Sequence, residues 1–328
     1  MRITIKQRFL VVAASIAIST APALAQTYPV KPLRNILTIS GGGEANARIV
    51  AERLSQLLGQ PIVVEAQPGA GGAVGATSVA RSAPDGYTFL YGTTSAMVLR
   101  QFLVADMPYD TLRDFIPVSQ LGNATSAIVA NKDVPVNSLK ELIDYVKKNP
   151  GKVSYGSTGT GTTHHLTGVV IAQLTGADLL HVPYKGAPPA VTDLLAGRIQ
   201  LAMSTSSSFV PLINAGKIKL LAINENRRMP QYPDTPTVFE VVPGYEHVPS
   251  WFGYFVPAGT PGAIVKRLAT DIDRAAHTPS VKEKLESVGS LINTLPPDEF
   301  MAHLKKQMEM GARLMKQAGI KPGSGIDS

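Results

Sequence analysis

Val153-Ser154-Tyr155-Gly156-Ser157-Thr158-Gly159-Thr160-Gly161-Thr162-Thr163-His164-His165 reads as a strand end, a turn of small residues and the first turn of a helix. The helix is expected to continue through Leu166, Val169, Val170 and Leu174, with Gly176 just past its end as a stop. A loop of Gly, Ser and Thr lets backbone N–H groups and hydroxyls crowd around one small object. At a helix N-terminus those amides have no intrahelical partner, and the helix dipole adds about half a positive charge. The result is an anion site that needs no lysine. Taken alone, the stretch fits a flexible linker or an ordinary N-cap equally well.

A second stretch has the same form. Ile36 to Ser40 reads as a strand, Gly41-Gly42-Gly43 as a turn, and Glu44 opens a helix. Its apolar face is Ala47, Val50, Ala51, Leu54, Leu57 and Leu58, at helical spacing. Two such turns far apart in one chain suggest two lobes, each offering a helix N-terminus to one ligand.

Outward from these stretches, strands and helices alternate. Pro61–Glu65 reads as a strand, Gln67–Gly72 as a loop and Ala73–Arg81 as a helix. The strand Tyr87–Tyr91 ends in Gly92-Thr93-Thr94-Ser95, a third small polar turn. Ser126–Ala130 is a strand. Ser138 and Glu141 form a capping box for a helix to Lys148. Leu179–Pro183, Ile199–Met203 and Ile218–Ile223 are further strands, with a helix from Pro189 through Leu195 between the first two. The strand at Met203 runs into Ser204-Thr205-Ser206, again small and polar. A crossing with Pro230, Pro233, Pro236, Pro243 and Pro249 leads to a strand at Trp251–Pro257. Helices follow near Gly262–His277, Ser280–Val288 and Asp298–Ala318, and Gly323–Ser328 reads as a frayed tail. The alternation predicts α/β units with parallel strands, whose ligands sit beyond the strand carboxyl ends.

Composition narrows the function classes. The 328 residues are 44% hydrophobic and 17% charged, which suits a soluble globular protein of one large or two moderate domains. The formal charge is +7, but Arg2, Lys6 and Arg8 stand in the first 25 residues without an acid, so the remainder carries +4. There is no dense basic run and no nucleic-acid-reading motif, so no nucleic-acid partner is expected. Met1–Ala25 reads as a secretory signal. Its n-region is basic, its h-region runs from Phe9 to Ile18, and Ala23-Leu24-Ala25 is an A-x-A cleavage site. The apolar run is too short to span a bilayer. A periplasmic, soluble mature chain cleaved after Ala25 is therefore expected. With no cysteine there is no disulfide, thiolate metal site or cysteine nucleophile.

Enzyme signatures fit poorly. Gly156-Ser157-Thr158-Gly159 is one residue too short for a nucleophile elbow, and Gly156–Gly161 is followed by Thr162 where a P-loop needs lysine. Gly69 to Gly75 places its third glycine one position late for a dinucleotide fingerprint. The six histidines show no metal-ligand spacing, so neither metal nor cofactor is expected. His164 can donate into the anion turn or pack locally. Tyr184, after a strand end, can donate to an anion or pack between lobes. Lys185 reads as a solvated charge, and Trp251 as hinge packing.

Four phrases in order carry a resemblance: Gln67-Pro68-Gly69-Ala70-Gly71-Gly72, Ala83-Pro84-Asp85-Gly86-Tyr87-Thr88, His181-Val182-Pro183-Tyr184-Lys185-Gly186 and Pro257-Ala258-Gly259-Thr260-Pro261. With them the whole mature chain resembles the Bug family, the periplasmic solute-binding components of tripartite tricarboxylate transporters. The resemblance implies a two-lobe, type II periplasmic-binding-protein fold (a Venus flytrap) with a hinge between the lobes. Lobe 1 would comprise residues 26–124 plus 250–328 and lobe 2 residues 125–249, with crossings near Gly122–Thr125 and Val248–Trp251. It also implies a ligand carboxylate gripped by Ser40, Gly41, Gly42 and Gly43 from one lobe and by Ser157, Thr158, Gly159, Thr160, Gly161 and Thr162 from the other. Thr93, Ser95, His164, Tyr184, Ser204 and Thr205 complete the expected ligand-binding set.

Two departures from the family pattern bear on the ligand. The first turn usually reads P-G-G-x-x-D in the family, and here it is Ile39-Ser40-Gly41-Gly42-Gly43-Glu44. Ser204 stands where family members often carry Asp, which argues against an amino acid and favours a plain mono- or dicarboxylate, aliphatic or aromatic. The expected protein is thus a monomeric receptor, not an enzyme, delivering a carboxylate to transporter membrane subunits. Two alternatives are a periplasmic hydrolase using Ser157 with His164 or His165, and a ligand-sensing partner of a membrane signalling protein.

Overall fold

The computed structural model describes residues 28–317. The secretory signal expected at Met1–Ala25 and the tail expected at Gly323–Ser328 lie outside the described residues.

The chain first lays down β1 (Leu33–Leu37), α1 (Gly42–Leu58), β2 (Ile62–Ala66), α2 (Ala73–Ala80) and β3 (Thr88–Thr93). Two short helices, α3 (Thr94–Met97) and α4 (Thr111–Asp114), lead to β4 (Phe115–Ala124). The chain then crosses into a second unit: β5 (Ser126–Asn131), α5 (Leu139–Lys148), β6 (Val153–Ser157), α6 (Thr163–Thr175) and β7 (Leu179–Pro183). That unit continues with α7 (Ala187–Leu195), β8 (Leu201–Thr205), α8 (Val210–Asn214), β9 (Ile218–Ile223) and α9 (Val238–Val241). The return supplies β10 (Trp251–Pro257), α10 (Gly262–Ala276), α11 (Pro279–Ser287), β11 (Ser290–Leu295) and α12 (Pro297–Gln317).

Two separate sheets result, one per lobe. Their orders are β11-β4-β10-β3-β1-β2 and β7-β6-β8-β5-β9. The expectation of parallel strands holds only for β2-β1-β3 and β7-β6-β8. β10 runs antiparallel between β3 and β4, and β5 antiparallel between β8 and β9. These two strands are the ones by which the chain enters a sheet from the other lobe, so they arrive from the opposite end. The Ala124 amide donates to the Ser250 carbonyl at 2.9 Å, which ties the two crossings together.

Both sheets are covered on both faces, so β6, β8 and β10 are buried along their whole length. In the first lobe Leu37, Val50, Leu54, Phe89 and Leu268 pack beneath α1 and α10, and Ile36, Val79, Leu90 and Phe300 pack on the other face. The second lobe repeats this with Ile128, Val146, Tyr155 and Leu201 on one face and Val129, Leu194 and Phe209 on the other.

The capping expected at Ser138 is half realised. Its hydroxyl accepts from the Glu141 amide at 3.2 Å, but the Glu141 carboxylate reaches back to the Asn137 amide, one residue beyond the box. The face of α6 also differs from its reading. His164, Thr167, Gly168 and Ile171 are buried, while Leu166 and Val170 are half-buried and Leu174 is exposed. The reason is Tyr155: a Cβ on Gly168 would sit 2.3 Å from the Tyr155 ring, so the helix must present a small residue there.

Candidate functional site

Between the lobes lies a narrow cavity. The first lobe lines it with Thr38 and Ile39 after β1, with Pro68, Gly69, Gly71 and Gly72 before α2, and with Thr93, Thr94 and Ser95 at the end of β3. Trp251 and Phe252 add an aromatic side from the start of β10. The second lobe contributes Thr158, Thr162, Thr163 and His164 from the turn into α6, then Gly186 and Thr205. Ala124 and Ser250, at the two crossings, complete the lining.

The turn into α6 is held by its own side chains. The Thr162 hydroxyl caps the helix, accepting from the His165 amide at 3.3 Å and donating to the Gly159 carbonyl at 2.7 Å. The imidazole of His164 bridges the hydroxyls of Thr158 (Nδ1, 2.7 Å) and Ser126 (Nε2, 3.2 Å). Nδ1 of His165 accepts from the Gly161 amide at 3.1 Å, and its ring stacks on His181 at 4.0 Å. His181 Nε2 in turn meets the Ser157 hydroxyl at 2.7 Å. Behind the turn there is thus a column of two histidines and a serine that fixes its backbone.

The same turn is tied to the first lobe. The Thr163 amide donates to the Ser95 hydroxyl at 3.1 Å, and the Ser250 hydroxyl donates to Thr163 Oγ1 at 3.1 Å. The Thr94 hydroxyl donates to the Pro249 carbonyl and accepts from the Trp251 amide, both at 3.0 Å. Trp251 is itself locked by its Nε1–H bond to Gln307 and by the edge of Phe300.

No lining side chain carries a full charge. His164 is the one titratable group among them, and burial lowers its pKa to about 4, so it is neutral near pH 7. Positive potential in the cavity therefore comes from oriented amides, the N-terminus of α6 and the buried Arg100 guanidinium, which lies behind Gly71 and Gly161. Such a surface can receive a small anion by hydrogen bonds and offers no nucleophile–base–acid array.

The expected residues divide into two groups. Thr93, Ser95, Thr158, Thr162, His164 and Thr205 line the cavity, and the others do not. The Gly41–Gly43 turn is a contact between lobes. The Gly42 amide donates to the Ser208 hydroxyl, a Cβ at Gly41 would sit 3.1 Å from Pro188, and Ser40 lies against Gly186. Gly43 packs against Ile39 and Phe252. Ser157, Gly159, Thr160 and Gly161 form the support of the turn. Ser157 is 0% exposed and its partner is His181, neither His164 nor His165. The Tyr184 hydroxyl donates to Asp193 at 2.7 Å, away from the cavity. Ser204 is buried within β8, and its hydroxyl has no hydrogen-bond partner among the described residues. The main omission from the sequence reading is the Gly69–Gly72 turn. A strand ending in a glycine turn that opens a helix was its signal, as for the other two turns.

The fold and the cleft are those of a two-lobed solute-binding protein. The chain belongs to the tripartite tricarboxylate transporter receptor family, whose model matches residues 46–320. It is 34% identical to Protein BugT of Bordetella pertussis over 92% of this chain and 93% of that protein. Its fold matches R. palustris Rpa4515 with adipate at a TM-score of 0.86 and 32% identity, over 90% of this chain and 99% of the other. MatC (Rpa3494) from Rhodopseudomonas palustris with bound malate matches at 0.81 and 28% identity, over 88% and 99%. The latter two structures hold carboxylates, adipate and malate.

Proposed function

We propose that this chain captures a small organic carboxylate between its lobes in the periplasm and hands it to the membrane subunits of a tripartite tricarboxylate transporter. The observation that carries the reading is the uncharged, donor-rich cavity, with Thr158, Thr162 and His164 on one side and Gly69, Gly72 and Ser95 on the other. The hydroxyls and N–H groups of the Thr158–His164 turn that are not spent within it or on Ser95 receive the carboxylate, and Ile39, Trp251 and Phe252 receive its carbon body. The adipate and malate held by Rpa4515 and MatC are of this chemical class. With no acid in the lining, the cavity has nothing to pair with an ammonium group, which favours a plain acid over an amino acid.

In this reading the signal is cleaved after Ala25 and the mature protein acts as a monomer, without cofactor. Its lobes are 26–124 plus 250–328 and 125–249, hinged at the crossings. The test is a thermal-shift screen of aliphatic and aromatic mono- and dicarboxylates against the purified mature chain, followed by calorimetry. A ligand that binds the folded state raises the melting temperature, by about 2.7 kcal/mol of added stability at a hundredfold excess over Kd. Plain carboxylates should shift it and amino acids should not. A broad panel that leaves the transition unmoved would remove this reading.

A further inference from the structure

Among the described residues, Arg100 is the only lysine or arginine that is buried, at 5% exposed. It stands in the single turn Leu99–Phe102 that follows α3, and its backbone carbonyl accepts from the amides of Leu103 and Val104. Its guanidinium lies where the two lobes meet. A Cβ on Gly71 would stand 3.3 Å from Nη1 and 3.4 Å from the Thr160 carbonyl of the other lobe. A Cβ on Gly161, in the turn into α6, would stand 3.7 Å from the same Nη1.

Both glycines have left-handed backbones, with φ of 61° at Gly71 and 75° at Gly161. Residues without a Cβ let the two turns take this form and come close to the cation from either lobe. Gly71 also lines the cavity, so the guanidinium approaches the ligand space from behind this one residue. A hydrogen-bond donor in the wall serves the oxygen it touches. A fixed charge acts on the whole charge of the ligand, and a buried one is screened less than one in water. A guanidinium is a permanent charge, so its pull does not fade over the pH range in which a carboxylate is ionised.

We infer, on the carboxylate-binding reading above, that Arg100 is a specificity-determining residue of the cleft: through the Gly71 and Gly161 turns it reads the net charge of the ligand, and it makes dianionic dicarboxylates bind better than monoanions of the same length. The donors of the wall grip one carboxylate, and Arg100 adds a similar long-range attraction for each negative charge present. Neutralising it should therefore weaken a dianion about twice as much as a monoanion on a logarithmic scale.

The test is calorimetry at about pH 7.5 on the mature chain with two ligand series: succinate, its monoamide and butyrate, and adipate, its monoamide and hexanoate. Each monoamide keeps the length and the polar end of its parent and loses one charge. The wild type should bind the dianion about tenfold or more tighter than either monoanion. Arg100→Met should weaken the monoanions about fivefold and the dianion about twenty-five-fold, whereas Arg100→Lys, which keeps the charge, should preserve the ranking. A packing role alone would weaken all members of a series equally. Equal losses, or a wild type that binds a monoamide as tightly as its parent, would overturn the role of Arg100 and leave a carboxylate cleft standing. The wild-type comparison needs no variant, so it holds even where Arg100→Met fails to fold. A wild type that binds none of the six would instead remove the carboxylate reading and the role of Arg100 with it.

Discussion

The amide of Gly42 donates to the hydroxyl of Ser208 at 3.3 Å, although 166 positions of chain separate them. The start of α1 therefore spends a donor on the opposing lobe. A Cβ on Gly42 would lie 2.3 Å from Ser207 Oγ and 2.6 Å from the Ser208 amide nitrogen, both across the cleft. Gly42→Ala should leave each lobe folded and oppose their contact. Overpacking of this kind costs about 1–3 kcal/mol. Ligand affinity should fall roughly tenfold or more, and small-angle scattering should report a wider particle at saturating ligand. A variant that closes and binds like the wild type would show that Ser207 and Ser208 yield easily.

Thr158 and Ser157 are neighbours with different tasks. Thr158 lines the cavity and holds Nδ1 of His164, whereas Ser157 is sealed behind the turn on His181. Thr158→Ala should lower carboxylate affinity about tenfold with little change in melting temperature. Ser157→Ala leaves a buried ring nitrogen without its partner, which costs about 1–3 kcal/mol of stability. Paired calorimetry and denaturant titration of the two variants would separate these effects. Equal losses of affinity with no loss of stability would place Ser157 in the site after all.

The strand–glycine turn–helix units were legible because each is local. The apolar face of α1 recurs at helical spacing, and Ala47, Val50, Ala51, Leu54 and Leu58 are buried as read. What escaped was non-local. Phe115–Ala124 holds Pro117 and Gly122 and is buried on both faces, so it shows no alternation, yet it is a ten-residue strand. Its partners β10 and β11 lie far along the chain. The face of α6 was misread because Leu166 packs toward Leu314 and Met315 of α12 in the other lobe, a neighbour that periodicity cannot identify. In the site, the turns were recognisable but not which of their amides would be spent between lobes, as at Gly42, and which left facing the cavity.

The histidine column and its neighbour His164 predict an acid-sensitive fold. Burial lowers His164 and His165 to about 4 and His181 to about 3, with His165 adding to the effect on His181. These groups are neutral in the folded chain and take up protons near 6.5 once unfolded. Their contribution is full above pH 6.5 and is lost progressively as pH falls toward 4. Each histidine that gains a proton only on unfolding adds about 1.4 kcal/mol per pH unit to the slope. The urea midpoint should therefore drop between pH 6.5 and 4.5, and His181→Asn should make that drop shallower. A midpoint that is flat over this range would contradict the neutral column.

Glu225 should act with the opposite sign. Burial raises its pKa to about 8, Arg227 offsets this in part, and Oε1 has no partner among the described residues. The folded chain holds this proton between pH 4.5 and 8 while the unfolded chain releases it. The carboxyl therefore weakens the fold increasingly as pH rises through that window. Glu225→Gln copies the protonated form, so it should match the wild type at pH 4.5 and exceed it at pH 8, with a gap that grows steadily between. Denaturant titrations at those two values decide it. A gap that is constant with pH would mean that the carboxyl is solvated in both states.

The strand orders make the two lobes unequal as folding units. Residues 125–249 contain all five strands of the second sheet, β5 to β9, with the helices on both of its faces. Its clusters around Ile128, Tyr155 and Leu201 and around Val129 and Phe209 are complete within that segment. Residues 26–124 hold β1 to β4, but β3 and β4 do not pair with each other, because β10 lies between them. Without β10 that fragment is left with β2-β1-β3 and a detached β4, and the core under α10 is missing Leu268, Ile272 and Tyr254. An excised 125–249 should unfold cooperatively and give dispersed amide signals, whereas 26–124 alone should not. Adding 250–328 in trans should restore a cooperative transition to 26–124, since it returns the strand that joins the two halves of the sheet. If 26–124 unfolds cooperatively by itself, β3 and β4 must find another pairing, and the central place of β10 in organising the first lobe would be lost.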